Sequence, residues 1–388
     1  MIPFSKHCTA PREAQYVQES LASGHLSGDG PFTRRAAAIL GAHLNGAPVL
    51  LTPSCSDALE LAALLCDLGP DDEVVMPSLT FSSTANAFAI RGAALRFADV
   101  DPTTFSMELP QLQAAVTPAT RVVVAVHYGG VTRDIAAMRD YCLARGLRLV
   151  EDNAHGLFAS CGGQPLGTFG PLGTLSFHGT KNVSCGEGGA VVVSDPALLE
   201  RAEILREKGT DRHRFLRGEV DRYTWREVGS SFLLADVLAA LLTAQLEYAA
   251  TIQARRHALV QRYCELLAPR AAELGLELQQ VPSGYQPPAH LLAMLLPRGV
   301  ERARVLVAMR ERGVQATSHY EPLHLAPAYR PPLRRGALPS LPVTEDIGCR
   351  LLRLPLFPDL TLEAAERGAV ALCEVLQQLG AGARGRAT

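Results

Sequence analysis

Residues 48–195 alternate between short β-branched runs and longer segments with a helical pattern of apolar residues. The first five runs read PVLLT, EVVMP, ALRFADV, RVVVAVH and LRLVED, and segments such as SDALELAALLCDLG separate them. Strand–helix–strand units repeated at this spacing predict an α/β fold, in which a mostly parallel sheet carries helices on both faces. The last two runs, TLSFH and GAVVVS, have only a glycine-rich loop between them. This break indicates a hairpin or an irregular connection, which permits an antiparallel strand.

The pattern changes in the last third of the chain. A single long helix is predicted from about Phe232 to Leu267, and its apolar first half indicates burial against a second domain or a second subunit. The strand-like HLLAMLLP and the helical VERARVLVAMRERG and LTLEAAERGAVALCEVLQQL then indicate a smaller α+β domain. We predict a large domain over residues 1–250, N-terminal segment included, and a small domain over residues 251–388. Its last nine residues, GAGARGRAT, lack apolar side chains that would pack, so we expect them to be disordered.

Composition and charge argue against several kinds of partner and site. The formal net charge of −2 over 388 residues does not favour nucleic acid or an anionic membrane. No stretch reaches about 18 consecutive apolar residues, and the start MIPFSKHCTA lacks the pattern of a signal peptide, so we expect a cytoplasmic protein. The nine cysteines include no C-x-x-C pair, which argues against a disulfide framework and against a structural metal site.

In open parallel sheets, ligands bind beyond the carboxyl ends of the strands, so the residues that follow each strand are candidates for a site. After PVLLT, Ser54 and Asp57 are placed to form a capping box for the next helix. A second interpretation of this segment is that the free N–H groups near Cys55 and Ser56 bind a phosphate. After EVVMP, Phe81 fits either a core position or an aromatic face stacked on a planar ligand.

Two further candidates follow the next strands. LRLVED ends in Glu151 and Asp152, and a carboxylate at a buried strand end is costly unless it meets a cation. Asp152 is alternatively the N-cap of a helix. In SFHGTKN, Lys181 is either a solvated lysine or a buried amine that can lose its proton and act as a nucleophile. The glycine-rich turn after it permits the close approach of a cofactor.

These features together match one cofactor. A phosphate cradle, an aromatic face, a carboxylate for a ring nitrogen and a lysine for an aldehyde are what pyridoxal phosphate requires. Motifs spread over nearly the whole chain then resemble those of the DegT-type nucleotide-sugar aminotransferases: LTPSCSDALE, MPSLTFSSTANA, VHYGG, VEDNAHG, SFHGTKN, GEGGA and EKGTDR. The resemblance implies the pyridoxal-phosphate fold type I, with a mostly parallel central sheet and a small C-terminal α+β domain. It also implies a homodimer whose active site the partner subunit completes, without a metal.

The resemblance assigns four residues to the ring and aldehyde of pyridoxal 5'-phosphate. Lys181 would form the Schiff base with the aldehyde and shuttle protons during transamination. Asp152 would pair with the pyridinium nitrogen, and Phe81 would stack on the ring. His155 would lie near the ring hydroxyl, at a position that is glutamine or histidine in the family.

Four further residues are assigned to the phosphate of the cofactor. The resemblance places Cys55, Ser56 and Ser176 on it. Many members of the family add an asparagine from the partner subunit, in a GYN motif, and this chain has Ser231 at that place. Either the shorter hydroxyl of Ser231 or a water would then replace the amide.

Substrate contacts are the last group. His178, Tyr320 and His324 are expected to face the sugar nucleotide; for His178, packing beside Lys181 is the alternative. Arg212 lies in a basic segment that could reach the diphosphate, and a solvated basic loop is the alternative.

The implied reaction is transamination of a nucleotide-linked keto sugar, with L-glutamate as the amino donor. GDGPFTRR, DRYTWREVGSSF and LLRLPLF are similar to members that convert dTDP-4-keto-6-deoxy-D-glucose to dTDP-4-amino-4,6-dideoxy-D-galactose. A 3-keto sugar, a UDP-linked sugar or a ketocyclitol are alternative substrates. A non-catalytic regulatory protein that binds the cofactor is a more distant alternative, and the presence of both Lys181 and Asp152 argues against it.

Overall fold

The structure is a computed structural model that describes residues 1–380. Its α-helices are α1 (Glu13–Ser23), α2 (Pro31–His43), α3 (Cys55–Leu65), α4 (Ser82–Ala89), α5 (Leu109–Ala115), α6 (Ile135–Ala144), α7 (Leu199–Arg206), α8 (Arg212–Leu216), α9 (Asp236–Glu247), α10 (Ala249–Leu274), α11 (Arg302–Glu311), α12 (Pro342–Arg350) and α13 (Leu362–Gln378). Within residues 1–380, none of the helices combines the length and the apolar character that crossing a membrane requires. The tail that we expect to be disordered lies, apart from its first residue, outside the described residues.

The β-strands are β1 (Val49–Thr52), β2 (Glu73–Pro77), β3 (Ala94–Ala98), β4 (Thr120–Val126), β5 (Arg148–Asp152), β6 (Ser160–Cys161), β7 (Gln164–Pro165), β8 (Leu172–Ser176), β9 (Gly189–Val193), β10 (Glu277–Leu278), β11 (Tyr285–Gln286), β12 (Ala293–Leu295) and β13 (Leu351–Arg353). Seven of them form the central sheet, in the order β1-β9-β8-β5-β4-β2-β3. Every residue of β2, β8 and β9 is buried, as expected for strands with helices on both faces.

The central sheet is mostly parallel, which confirms the predicted α/β fold. Strands β3, β2, β4, β5 and β8 pair in parallel, whereas β9 runs antiparallel to both of its neighbours, β1 and β8. Strand β9 follows β8 after the glycine-rich loop of residues 177–188. The antiparallel arrangement follows because a parallel return would need a long crossover connection, usually a helix.

This topology brings several strand ends to one edge of the sheet. Strands β1 and β8 both run antiparallel to β9, so they are parallel to each other and to the rest of the sheet. The carboxyl ends of β1, β2, β5 and β8 therefore meet at the same edge as the start of β9. Helices α3 and α4 begin at this edge, directly after β1 and β2.

The C-terminal part has its own antiparallel sheet, in the order β10-β12-β13. Apolar residues of α10, α11 and α13 pack on it and form a second hydrophobic cluster. The N-terminus lies against this part, because Ile2 forms a parallel bridge with Val314. Helix α10 begins at Ala249 and continues into this second cluster, so the domain boundary at residue 250 stays a prediction.

The prediction of one continuous helix from Phe232 to Leu267 is wrong. Two helices, α9 and α10, meet at Tyr248, whose backbone (φ −96°, ψ 1°) departs from the α-helical region. Helix α9 packs against α1 and α2 in a cluster with strands β1 and β9, and α10 packs against α13. Ala249 and Ile252, at the start of α10, still belong to the cluster of α9, whereas residues of α10 from Leu259 onwards belong to the second cluster. The tertiary contacts therefore override a local sequence without a helix-breaking residue.

Candidate active site

A cavity of about 700 Å³ opens at the carboxyl edge of the central sheet. Its lining comes from the starts of α3 and α4, the ends of β5 and β8, the loop after β8, residues 318–321 and the end of β13. Ligands of open parallel sheets bind at this edge, which makes the cavity the candidate active site.

The start of α3 contributes free backbone donors to the cavity. Ser54 is the N-cap, since Asp57 N donates to Ser54 Oγ at 3.1 Å, and this confirms the predicted cap. The cap uses a later N–H group and leaves those of Cys55 and Ser56 without an acceptor inside the helix. Ser56 Oγ also donates to Ser83 Oγ, in the first turn of α4, at 2.6 Å. The two interpretations of this segment are therefore compatible: α3 is capped and still presents N–H groups to an anion.

Gly189 allows β9 to approach the start of α3. A Cβ atom at this position would lie 2.4 Å from Cys55 N, much closer than real side chains come to backbone atoms. Ser176, at the end of β8, pairs with Gly189 and lines the cavity beside the same helix start. The hydroxyl of Ser176 and the N–H groups of α3 thus line one part of the cavity, which is suited to a phosphate.

The two carboxylates of β5 have different roles, because successive side chains of a strand point to opposite faces. Asp152 lines the cavity, and Thr84 Oγ1 donates to its Oδ2 at 2.6 Å. Glu151 is fully buried and accepts the backbone N–H groups of Gly167, Phe169 and Gly170. Glu151 therefore holds the loop before β8, and only Asp152 is available to a ligand.

The Asp152 carboxylate is a buried anion that is not paired with a cation. Its side chain is held by hydroxyl and backbone donors, and no Lys, Arg or His nitrogen of residues 1–380 lies within 4.0 Å of it. No helix begins at Asp152, so the N-cap interpretation is wrong. A buried carboxylate in this state is stabilised by a cationic ligand group such as a protonated ring nitrogen.

Lys181 lies in the cavity, in the loop between β8 and β9. Burial lowers the pKa of its amine to about 8, with a smaller contribution in the same direction from the positive charge of Arg353, while Cys55 and Asp152 act in the opposite direction. The solvated-lysine interpretation is therefore not supported. A lysine with this pKa provides a neutral amine at moderately alkaline pH, as a nucleophile and a proton carrier require.

His155 is a neutral ring in the wall of the cavity. Gly129 N donates to its Nδ1 at 3.3 Å, which assigns the proton to Nε2, and this nitrogen lies 3.3 Å from the hydroxyl of Tyr320. Burial lowers the pKa of His155 well below its usual value, and the charge of Lys181 adds to the effect. His155 and Tyr320 both line the cavity, so it brings these two predicted residues together.

Phe81 and His178 lie at exposed positions of the lining. Phe81 is 58% exposed, which excludes the core interpretation, and its ring centroid is 6.0 Å from that of Tyr320. The ring of His178 is half-exposed; its Nδ1 lies 3.0 Å from Thr180 Oγ1 and its Nε2 lies 3.7 Å from a Glu187 carboxylate oxygen. His178 therefore lies in the lining with about half of its ring accessible, and its contact with the sugar stays a prediction.

The structure places three predicted residues outside the lining of this cavity. Ser231 is exposed next to Glu207, and Arg212 pairs with Glu207 at 3.2 Å. His324 is buried, with Ser78 Oγ at 2.8 Å from its Nδ1 and Glu345 at 3.2 Å from its Nε2. His324 is thus a structural residue that ties the segment after Tyr320 to the sheet, and its predicted substrate contact has no support in this arrangement.

Several lining residues were not predicted from the sequence, and four of them carry polar or charged side chains that bear on the chemistry of the site. Thr84 orients Asp152, and His290, His319 and Arg353 lie on the side of the C-terminal sheet. The signals were weak but present: Thr84 lies one helical turn after Thr80 at a helix start, and Arg353 is the single charge in the apolar run LLRLPLF. Neither signal shows by itself that the side chain enters a cavity.

The residues present fit the pyridoxal phosphate that the resemblance implies. The unpaired buried carboxylate of Asp152, the lysine of lowered pKa and the helix start with unused N–H groups are complementary to a ring nitrogen, an aldehyde and a phosphate. The exposed ring of Phe81 offers an aromatic face at the same cavity.

Comparison with known proteins identifies the kind of protein that carries such a site. The model of the DegT/DnrJ/EryC1/StrS aminotransferase family matches residues 7–372. A dTDP-4-dehydro-2,3,6-trideoxy-D-glucose 4-aminotransferase from Saccharopolyspora spinosa is 34% identical over 367 residues, which cover 93% of this chain and 93% of that protein. The aminotransferase TlmJ from Streptoalloteichus hindustanus has a TM-score of 0.87 at 31% identity, with 98% of this chain and 99% of that chain covered.

A more distant structure shows the same fold with the cofactor named. A protein from Streptococcus pneumoniae, assigned as a sugar aminotransferase and solved in its PLP form, has a TM-score of 0.86 at 23% identity. The likeness covers 97% of this chain and 99% of that chain.

Proposed function

Because this chain belongs to the DegT/DnrJ/EryC1/StrS aminotransferase family, whose cofactor is pyridoxal 5'-phosphate, we propose that it aminates a dTDP-linked 4-keto sugar. The proposed reaction converts dTDP-4-keto-6-deoxy-D-glucose to dTDP-4-amino-4,6-dideoxy-D-galactose, and L-glutamate leaves as 2-oxoglutarate. The relative from Saccharopolyspora spinosa, described as a dTDP-sugar 4-aminotransferase, supports the nucleotide and the position of the amino group.

One arrangement carries the proposal: Asp152, at the end of β5, and Lys181, in the loop after the neighbouring strand β8, line the same cavity. Bound pyridoxal phosphate supplies an aldehyde that carries the amino group and a ring that stabilises negative charge on the carbon that loses a proton. Asp152, oriented by Thr84, would hold the ring nitrogen, and the start of α3 with Ser176 would hold the phosphate.

Lys181 then acts as the proton carrier of both half-reactions. Its neutral Nζ takes the proton from the α-carbon of glutamate and later delivers a proton to C4 of the sugar. The lowered pKa makes the neutral form accessible, and the protonated form that results is stabilised by the nearby carboxylate of Asp152. His155 and Tyr320 keep a neutral hydrogen-bonded wall beside the lysine, so they do not compete for its proton.

We also propose that the protein is a homodimer in which the partner subunit completes the site. Ser231 and Arg212 lie outside the cavity of their own chain, in a segment that exposes large apolar side chains, notably Trp225 at 71% and Val228 at 70%. Contacts of this segment with a second subunit would cover the apolar side chains. In such a dimer, Ser231 is the candidate for the phosphate and Arg212 for the diphosphate of the partner subunit's ligand.

The substrate is tested with purified protein, L-glutamate and a panel of nucleotide-linked keto sugars. We expect turnover of dTDP-4-keto-6-deoxy-D-glucose above that of a UDP-linked 4-keto sugar, a dTDP-linked 3-keto sugar and a ketocyclitol. The configuration of the product at C4 is read by NMR. A higher kcat/KM for any other member of the panel would reject the proposed substrate.

The non-catalytic alternative is tested through the lysine itself. The chain has three lysines, Lys6, Lys181 and Lys208, so borohydride reduction followed by peptide mass spectrometry identifies the modified residue without ambiguity. We expect a pyridoxyl adduct on Lys181. The Lys181→Ala variant should lose turnover while Lys208→Ala keeps it; an adduct-free Lys181, or turnover by Lys181→Ala, would favour the regulatory interpretation.

A further inference from the structure

Arg353 is a cavity residue without a place in the proposed function. It is the last residue of β13, and its backbone pairs with Thr317 through two hydrogen bonds. The guanidinium lies over the ring of Phe4, with its carbon 4.7 Å from the ring centroid, and Nη2 donates to the carbonyl of Ser318 at 3.0 Å. These contacts fix the side chain at the cavity, which Phe4, Ser318 and Arg353 all line.

The charge of Arg353 is not compensated by the described part of the chain. Within residues 1–380, no carboxylate lies within 4.0 Å of its guanidinium, and its buried Nε has no hydrogen-bond partner. Arg350, three residues earlier in the chain, pairs with both Asp346 and Glu277. A desolvated guanidinium without an anion is costly, so the cost at Arg353 indicates that a ligand supplies the anion.

The groups that face Arg353 are neutral or positive. Burial, followed by the charge of Arg353, lowers the pKa of His319 far below its usual value, and burial raises that of Tyr320. The carboxylates of the lining are Asp152, which Thr84 and a backbone N–H engage, and the exposed Glu187 and Glu321. This part of the cavity therefore favours an anion, and the planar guanidinium matches a carboxylate through two parallel hydrogen bonds.

We propose that Arg353 binds the α-carboxylate of the amino donor and thereby selects α-amino acids over other amines. This deepens the proposed function and rests on its donor half-reaction. Two anionic groups compete for the assignment, the donor carboxylate and the diphosphate of the sugar nucleotide. The α-carboxylate is attached to the carbon whose proton Lys181 takes, so its partner must lie near Lys181. Arg353 and Lys181 line the same cavity, and the positive charge of Arg353 lowers the pKa of that lysine, so the position of Arg353 supports the carboxylate.

The first test measures which carboxyl group Arg353 recognises. The half-reaction of the holoenzyme is followed by the absorbance of the cofactor with three donors: L-glutamate, its α-amide and its γ-amide, glutamine. We expect the wild type to discriminate strongly against the α-amide. In Arg353→Gln, kcat/KM for glutamate should fall at least about 30-fold, as for a lost hydrogen bond to a charged group, and the preference for glutamate over the α-amide should collapse.

Matched variants separate the local contact from a general loss of charge. Arg298→Gln removes one positive charge from an exposed pair with Asp346 and should leave all three donors unchanged. Arg353→Lys should recover part of the glutamate rate. The proposal is overturned if Arg353→Gln leaves the discrimination against the α-amide intact, if it relaxes that against glutamine instead, or if it slows the amino-sugar half-reaction more than the glutamate one.

A second measurement does not depend on turnover. Glutarate has the carboxylates of the donor but no amine, and by binding only to the folded state it should raise the thermal midpoint of the wild-type holoenzyme. The shift should vanish in Arg353→Gln, whose own midpoint in the absence of glutarate should equal or exceed that of the wild type, since a partly desolvated charge without an anion is removed. A lowered midpoint with the glutarate shift retained would make Arg353 a structural residue.

These results and those on the sugar substrate can fail independently. The donor half-reaction and the glutarate shift need no nucleotide sugar. If no keto sugar is aminated but the Arg353 variants behave as expected, the proposed substrate fails and the carboxylate site stands. If the sugar is aminated and the variants discriminate like the wild type, only the role of Arg353 is rejected.

Discussion

Thr84 shows how a single side chain prepares the site. It has one hydroxyl proton, which it donates to Asp152 at 2.6 Å, and its oxygen lies 2.8 Å from the hydroxyl of Thr80. Thr80 must therefore be the donor in the second contact, and the two hydroxyls form a chain that ends on the carboxylate. This chain fixes the orientation of Asp152 before any ligand binds, so less ordering is required on binding.

Removing the hydroxyl of Thr84 should weaken the site without unfolding it. We expect Thr84→Val to lower the affinity for pyridoxal phosphate and kcat/KM by about 10- to 100-fold each, because a hydrogen bond to a charged group is lost. Thr84→Ser keeps the hydroxyl and is the control, expected near the wild type. Equal behaviour of the valine and serine variants in cofactor titrations would show that the methyl group, and not the hydroxyl, matters.

The pKa of Lys181 should respond in opposite directions to its two charged neighbours. In the protein without cofactor, the signal of 13C-methylated Lys181 should titrate near pH 8, with the neutral form increasing above that pH. Asp152→Asn should lower this pKa, since the carboxylate stabilises the charged amine, and Arg353→Gln should raise it. Lys6→Arg and Lys208→Arg assign the NMR signals. Shifts of the same sign in both variants would contradict this electrostatic account.

The start of α3 and the start of β9 form the phosphate side of the site as one unit. The seven-stranded sheet places them together because β9 is antiparallel and enters at the edge where β1 ends. At Gly189 the backbone of β9 comes close to the backbone at the start of α3. A Cβ atom at this position would lie 2.4 Å from both Ser54 C and Cys55 N. The start of any helix offers free N–H groups. In this fold the start of β9 also lies beside the start of α3, so that two elements form the phosphate side of the site.

Adding a methyl group at Gly189 should disturb this unit. We expect Gly189→Ala to cost about 1–3 kcal/mol of unfolding free energy, as overpacked sites do, and to weaken the binding of the cofactor. Gly179→Ala, in the loop before β9, is the matched control, because the nearest atom to its Cβ would be 3.9 Å away. Denaturant unfolding and cofactor titration measure both effects. An unchanged midpoint and affinity in Gly189→Ala would mean that the backbone yields there at little cost.

The complete molecule combines two sheets around one cavity. The central sheet supplies Asp152 and Ser176, the loop after it supplies Lys181, and the C-terminal sheet supplies Arg353. Because both sheets contribute residues to the cavity, ligand binding depends on how the two sheets are positioned relative to each other. The exposed apolar segment around Trp225 lies outside this cavity, and the proposed dimer gives it a partner.

The dimer is tested by placing a charge in that segment. We expect Trp225→Glu to shift sedimentation from a dimer towards a monomer, because a buried unpaired carboxylate would oppose association. Leu143→Glu changes another strongly exposed apolar residue, 78% accessible on α6, and should leave the assembly unchanged. A wild type that sediments as a monomer, or a Trp225→Glu variant that remains a dimer at the same concentrations, would argue against this interface.

The sequence was sufficient for the α/β fold, the alternation of strands and helices within residues 48–195, and the positions of Asp152 at the end of one strand and Lys181 after another. These follow from local patterns: apolar runs with a strand or helix period, and polar residues at strand ends. Local patterns were not sufficient for the break between α9 and α10 at Tyr248. There α9 and the first residues of α10 pack in one cluster, and α10 from Leu259 onwards packs in another, which no local pattern of the sequence indicates.

Contacts between distant parts of the chain determined the rest of the site. Glu151 and Asp152 are adjacent carboxylates that no local pattern distinguishes; the family resemblance singled out Asp152, and the structure gives the physical reason, because Asp152 lines the cavity while Glu151 holds the loop before β8. Arg353 and Lys181 are 172 positions apart in the numbering, and nothing local indicates that one acts on the other. His324 was expected to face the sugar nucleotide, yet its buried ring lies between Ser78 and Glu345. Side-chain direction and the pKa of a buried group depend on neighbours that the chain brings together only when it folds.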